Sequence, residues 1–157
     1  YRPRARLREG LLLRRFASAC MDTSDGLIAT LDELIRRSGF GLQLEPNSVD
    51  LLQPQARALA REAGIPAFVF LAGPHGEFEL VFSIPPERLS EFRAEAIAAG
   101  LSISRLGVAR QRPGLQLSER EGGAWLDTAG VRNLAYERPR DRDEFVTRLV
   151  ALTRPDY

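Results

Sequence analysis

The sequence predicts an α+β domain, a mixed β-sheet covered by helices. Segments with helical spacing alternate with short apolar or alternating runs, and several of these runs are linked by hairpin-sized turns, which argues against an all-parallel doubly wound sheet. A chain of 157 residues with 44% hydrophobic side chains also suffices for one compact domain.

Leu7, Leu11, Leu12, Leu13 and Phe16 predict a short first helix, and residues 17–21 a small-residue buried strand. The chain then turns through Asp22-Thr23-Ser24-Asp25-Gly26. There Ser24 or Asp25 can cap a helix whose apolar stripe is Leu27, Ile28, Leu31, Leu34 and Ile35, ended by Ser38-Gly39. Residues 41–45 alternate as a strand, and Pro46-Asn47 leads into a helix over about 49–63, stopped by Gly64. Residues 67–72 and 77–84 predict two strands joined by the loop Gly73-Pro74-His75-Gly76, with Phe78, Leu80 and Phe82 on one face of the second. Pro85-Pro86 and Glu87 open a helix to about residue 99, with Leu89, Phe92, Ala96 and Ile97 as its buried stripe. Residues 101–108, 115–118 and 124–126 predict strands, the last two joined at Glu121-Gly122-Gly123, and a helix over about 141–152 closes the domain.

The 22 basic side chains are all Arg and face 21 acidic ones, leaving a formal net charge of +1. That balance gives no argument for nucleic acid or an anionic membrane as partner. With no lysine, the chain cannot itself supply a Schiff-base or P-loop lysine. The single cysteine, Cys20, excludes an internal disulfide, and its apolar setting predicts a buried small hydrophobe. No apolar run approaches the roughly 20 residues of a membrane-spanning helix. A cytoplasmic setting is therefore the expectation. Tyr1-Arg2-Pro3-Arg4 carries no signal-peptide pattern and reads as a cut through a linker, so a larger protein is expected.

The densest ligand chemistry lies in the turn at Asp22, Thr23, Ser24 and Asp25, two carboxylates and two hydroxyls in four residues. Carboxylate oxygens are hard ligands of the kind Mg²⁺ takes, and Ser24 with the following amides sits where a helix N-terminus can meet a phosphate. Plain helix capping uses the same residue types. One cap needs only one acceptor, however, and like charges this close repel unless a metal ion or an Arg compensates. His75, the single histidine, offers a general base, a phosphate donor or simply a solvated loop imidazole. Glu77 at the loop edge is a candidate for substrate contact, and Glu79 is expected to be partly buried. Trp125 can stack on a base or lid the core. No P-loop, dinucleotide-binding, zinc-protease or nucleophile-elbow pattern occurs.

Together these motifs resemble the C-terminal domain of the thiamine-monophosphate kinase family, within the superfamily of aminoimidazole ribonucleotide synthetase. The resemblance runs from Pro3 to Gly10, through Met21 to Leu27, where the family carries Asp-Ile-Ser-Asp-Gly-Leu, and on to Ser38-Gly39. It returns at Gly76-Glu77-Phe78-Glu79-Leu80, Phe82 and Pro85-Pro86. It implies that superfamily's C-terminal fold and an ATP- and Mg²⁺-dependent phosphotransferase acting on a small-molecule phosphate acceptor. Asp22 and Asp25 then match metal-binding aspartates, and Ser24 a nucleotide-contacting serine. The family's Gly-Gly-Glu-Asp falls on Pro74-His75-Gly76-Glu77, which leaves Glu77 and His75 as substrate candidates. Gly130-Val131-Arg132-Asn133-Leu134 stands where the family has Gly-Tyr-x-His-Phe, without the aromatic that contacts thiamine. By the same resemblance an N-terminal domain holds most ATP-binding groups, the full-length protein is a homodimer, and this chain alone is inactive. A non-catalytic ligand-binding or assembly domain on the same fold is the alternative, motivated by the altered loop at 74–76.

Overall fold

The structure, a computed structural model, describes residues 4–45, 48–73, 78–117, 123, 125–134, 136–137 and 141–153. Helix α1 (Leu7–Phe16) leads into strand β1 (Ala19–Asp22), helix α2 (Leu27–Ser38) and strand β2 (Gly41–Leu44). A 3-10 turn (Ser48–Leu51), α3 (Pro54–Glu62), the short α4 (Val69–Ala72) and β3 (Leu80–Ser83) follow. Next come a 3-10 turn (Pro86–Arg88), α5 (Leu89–Ala98), β4 (Gly107–Arg110), β5 (Leu115–Gln116), β6 (Trp125–Leu126), α6 (Thr128–Leu134) and α7 (Arg142–Thr153).

The strands form two sheets. In the smaller one β1 pairs antiparallel with β3, Ala19 opposite Ser83 and Asp22 opposite Leu80. In the larger, ordered β4-β2-β5-β6, the β2–β5 pair is parallel and the other two pairs are antiparallel. This is the mixed sheet expected, with β5 and β6 as the predicted hairpin strands.

Each sheet has its own apolar core. Phe16 of α1, Phe92 of α5 and Leu13 pack beneath the smaller sheet, with Phe92 edge-on to Phe82 at 5.5 Å between centroids. The larger core joins Ile28 and Leu31 of α2 to Leu44, Leu115, Leu126, Val131, Leu134 and Leu149. Helix α2 touches both sheets. The turn that feeds it from β1 therefore lies at the seam between them.

Several expected elements are corrected. The apolar run 67–72 is a turn and a helix: Val69 N–H donates to Pro66 O at 3.0 Å, and α4 follows. A short, uniformly apolar run carries no period that separates strand from helix. The helix expected over 49–63 is split, because Pro54 suits a first helical position and disfavours helical backbone at Gln53. Strand 77–84 begins at Leu80, because Phe78 has φ +53°. Strand 101–108 begins at Gly107, where β2 offers a partner. Ile97 is 78% exposed rather than part of the buried stripe, and Cys20 is exposed rather than buried. Helix α6 had no sequence expectation at all. Among the described residues no helix is long and apolar enough to cross a membrane.

Candidate functional site

The seam turn is built by backbone hydrogen bonds. Thr23 N–H donates to Glu79 O at 2.9 Å, and Glu79 N–H donates to Thr23 Oγ1 at 3.1 Å, so the turn starts clamped to β3. Gly26 N–H then donates to Thr23 O at 2.9 Å. Gly26 takes φ +92°, and a Cβ there would stand 2.5 Å from Gly73 O. Conformation and space both demand glycine. Thr30 Oγ1 reaches Asp22 O at 2.9 Å and Gly26 O at 3.0 Å, tying the first turn of α2 back to the end of β1.

Gly26 itself holds the N-cap position, and no side chain caps α2. The expectation that Ser24 or Asp25 caps the helix is thereby corrected. Ser24 turns instead toward Asp22: its amide donates to Asp22 Oδ1 at 3.0 Å and its hydroxyl to the same oxygen at 2.6 Å. The hydroxyl, then the amide, hold the Asp22 carboxyl below the usual carboxylate range. Asp22 and Asp25 are both exposed, and neither is in an ion pair with an arginine among the described residues.

A cleft of about 400 Å³ opens over this turn, with Asp22, Ser24 and Asp25 along one side. Thr30, Glu33 and Arg37 of α2, Arg132 of α6 and Tyr136 also line it, with Met21 and Ala29. Glu33 accepts from Arg37 at 2.5 Å and from Arg36 at 2.6 Å, and the Arg37 hydrogen bond leads in lowering its pKa. Behind the cleft, Asp32 is 4% exposed. Thr128 Oγ1 donates to its Oδ1 at 2.6 Å, and Arg132 Nη1 pairs with its Oδ2. On the strand leading in, Cys20 shares the outer face of β1 with Asp22; partial shielding of its sulfur, then the Asp22 charge, pushes the thiol pKa up.

Three predicted site residues, Asp22, Ser24 and Asp25, thus meet in one cleft. His75 and Glu77 lie outside the described residues; Gly73 and Glu79, to either side of them in sequence, both touch the turn. Glu79 is exposed and ion-paired with Arg6 rather than partly buried. Trp125 is away from the cleft, with the Arg112 guanidinium 4.4 Å from its ring centroid. Leu134, at the family's aromatic position, is fully buried. Sequence reasoning missed Asp32 and Arg132. A usable signal existed, since Asp32 falls on the helical stripe with Ile28 and Ile35, where a carboxylate needs a partner.

Among the described residues no group of three or more metal-ligating side chains occurs. Two exposed carboxylates, outside any ion pair with an arginine among the described residues, nevertheless fit Mg²⁺, which keeps several waters and takes one or two carboxylates plus phosphate oxygens.

No family model matches the chain. A thiamine-monophosphate kinase of Pyrococcus horikoshii is 36% identical over 87 residues, 55% of this chain and 26% of the relative. The thiamine-monophosphate kinase of Pyrococcus abyssi is 32% identical over 128 residues, 82% of this chain and 39% of the relative. The chain matches a thiamine-monophosphate kinase-like C-terminal region. The kinase-like domain spans between 26% and 39% of the length of these relatives. A solved structure described as "AaThiL complexed with AMPPCP and TMP" matches its fold with a TM-score of 0.59 at 24% identity, covering 74% of this chain and 35% of that one. The fold is that of the aminoimidazole ribonucleotide synthetase-like proteins, as the motifs implied.

Proposed function

We propose that the kinase-like domain is the C-terminal part of an ATP- and Mg²⁺-dependent enzyme that phosphorylates thiamine monophosphate, with Asp22 and Asp25 as metal ligands and Ser24 as a nucleotide contact. One observation carries this reading: two exposed carboxylates, neither ion-paired with an arginine among the described residues, lie beside Ser24 on a single cleft. The names of the relatives support the reaction, and the AMPPCP and TMP bound to a fold neighbour support the ligand pair.

Ser24 spends both donors on Asp22 Oδ1, which fixes the carboxylate and leaves Oδ2 without a protein partner among the described residues. With its pKa lowered, Asp22 is ionised at neutral pH. Asp25 adds a second acceptor, three residues on. A divalent cation held there would supply charge neutralisation for a polyphosphate. Phosphoryl transfer depends on positioning and electrostatics more than on covalent chemistry, so a cleft without an obvious nucleophile suits it. His75 and Glu77 are the further candidates for substrate contact. The remaining ATP-binding groups we assign to an N-terminal domain of a cytoplasmic homodimer.

Asp22→Asn in the full-length protein tests the assignment. Mg²⁺-dependent turnover should fall at least about 100-fold, the scale of losing one electrostatic contact to the reacting groups. Unchanged turnover with an intact circular-dichroism spectrum refutes the metal role. Failure of the wild-type protein to bind AMPPCP with Mg²⁺ in calorimetry would favour the non-catalytic alternative.

A further inference from the structure

Resting on that reading, we propose that Arg132 is a specificity-determining residue of the cleft, donating to a phosphate group of the bound substrate, and that Asp32 is its positioning residue. The argument starts from burial. Asp32 sits on the inner stripe of α2, and both its oxygens are engaged, one by Thr128 and the other by Arg132. A buried ion pair is a poor way to gain stability, since apolar residues of like volume usually serve as well or better. What the pair does achieve is orientation. Nη1 of Arg132 is held from the buried side, Nε lies 3.3 Å from Asn133 Oδ1, and Nη2 has no protein partner among the described residues. The side chain is still 25% exposed and lines the cleft.

The charge layout shows what such a donor is for. Asp22, Asp25 and Glu33 all line the cleft, so a phosphate entering it meets repulsion unless cations oppose them. Arg37 is mostly exposed, and its Nε is bonded to Glu33. Arg132 is the lining cation anchored by a buried group, and a fixed planar guanidinium matches phosphate geometry in a way a flexible ammonium does not. The phosphate belongs either to the acceptor or to the nucleotide.

Calorimetry on the full-length protein separates these sources, with thiamine monophosphate and Mg²⁺-AMPPCP as probes. The variants are Arg132→Lys, which keeps the charge but loses the fork, and the double variant Asp32→Asn with Arg132→Gln, which removes both charges together. At least a tenfold loss of affinity for thiamine monophosphate alone supports the proposal and assigns the acceptor; the same loss for AMPPCP alone supports it and assigns the nucleotide. Unchanged affinities, with or without a lower melting temperature, overturn it and leave the pair a helix-to-helix tie. Should the double variant not fold, Arg132→Lys decides by the same readings. If wild-type protein binds neither probe, the kinase reading fails, and inorganic phosphate becomes the probe. Phosphate binding lost in the variants then upholds the role of Arg132, and its absence or persistence overturns it.

Discussion

Asp22 owes its lowered pKa to a neighbour two residues away, which makes that shift separable from the rest of the fold. Its pKa is lowered from the ordinary 3.8 chiefly by the Ser24 hydroxyl. A depressed folded-state value means that its contribution to stability is present above the unfolded pKa and is lost as pH falls through the folded one. Ser24→Ala should therefore raise the Asp22 titration midpoint, read by carboxyl ¹³C NMR; an unmoved midpoint would remove Ser24 as the cause. Gly26 gives a second residue-scale expectation. Gly26→Ala forces a Cβ to 2.5 Å from Gly73 O at φ +92°, so urea unfolding should show a loss of at least about 1–3 kcal/mol, the cost of a strained backbone. Legibility at this scale was uneven. The residue types of the turn suit ligand chemistry and capping alike, and the structure removes only the capping, since Gly26 holds the N-cap and Ser24 turns toward Asp22.

At the scale of elements, periodicity marks α2 correctly, but it places Ile97 of α5 on a buried stripe where the structure exposes it. Helix α2 and its Gly39 stop, at φ +73°, follow directly from the spacing of Leu27, Ile28 and Leu31. Residues 67–72 were too few and too uniformly apolar for that, and they fold as turn and helix. Residues 101–104 alternate yet form no strand, and pairing with the β2 side begins only at Leu106, whose carbonyl accepts from Glu45 N–H at 2.9 Å, since a strand depends on a distant partner. The smaller core makes an element-scale test possible. Phe92 is 1% exposed and contacts the rings of Phe16 and Phe82. Phe92→Ala should destabilise the domain by about 3–5 kcal/mol in denaturant melts. A much smaller loss would mean that α1 and α5 rearrange to fill the space.

For the whole molecule, α2 touches both sheets, and the Asp32–Arg132 pair ties it to α6 within the larger core. Asp32 and Arg132 are 100 residues apart in the chain, so a single sequence gives no hint that they meet. Helix α2 carries the turn at one end and Asp32 along its length, with Arg132 facing it from α6, so on the proposed reading ligand binding and folding are coupled through α2. In the full-length protein, Mg²⁺-AMPPCP at 100 times its dissociation constant should add about 2.7 kcal/mol of stability. Asp22→Asn should abolish most of that thermal shift, and an undiminished shift would place the nucleotide elsewhere. Cys20 adds an experimental consequence. It is the one thiol in the chain, it is solvent-accessible, and it sits two residues before Asp22 on the same strand face. A maleimide dye coupled at mildly alkaline pH, where the raised thiol deprotonates, would attach at a single place and report by its emission whenever the neighbouring carboxylates change occupancy.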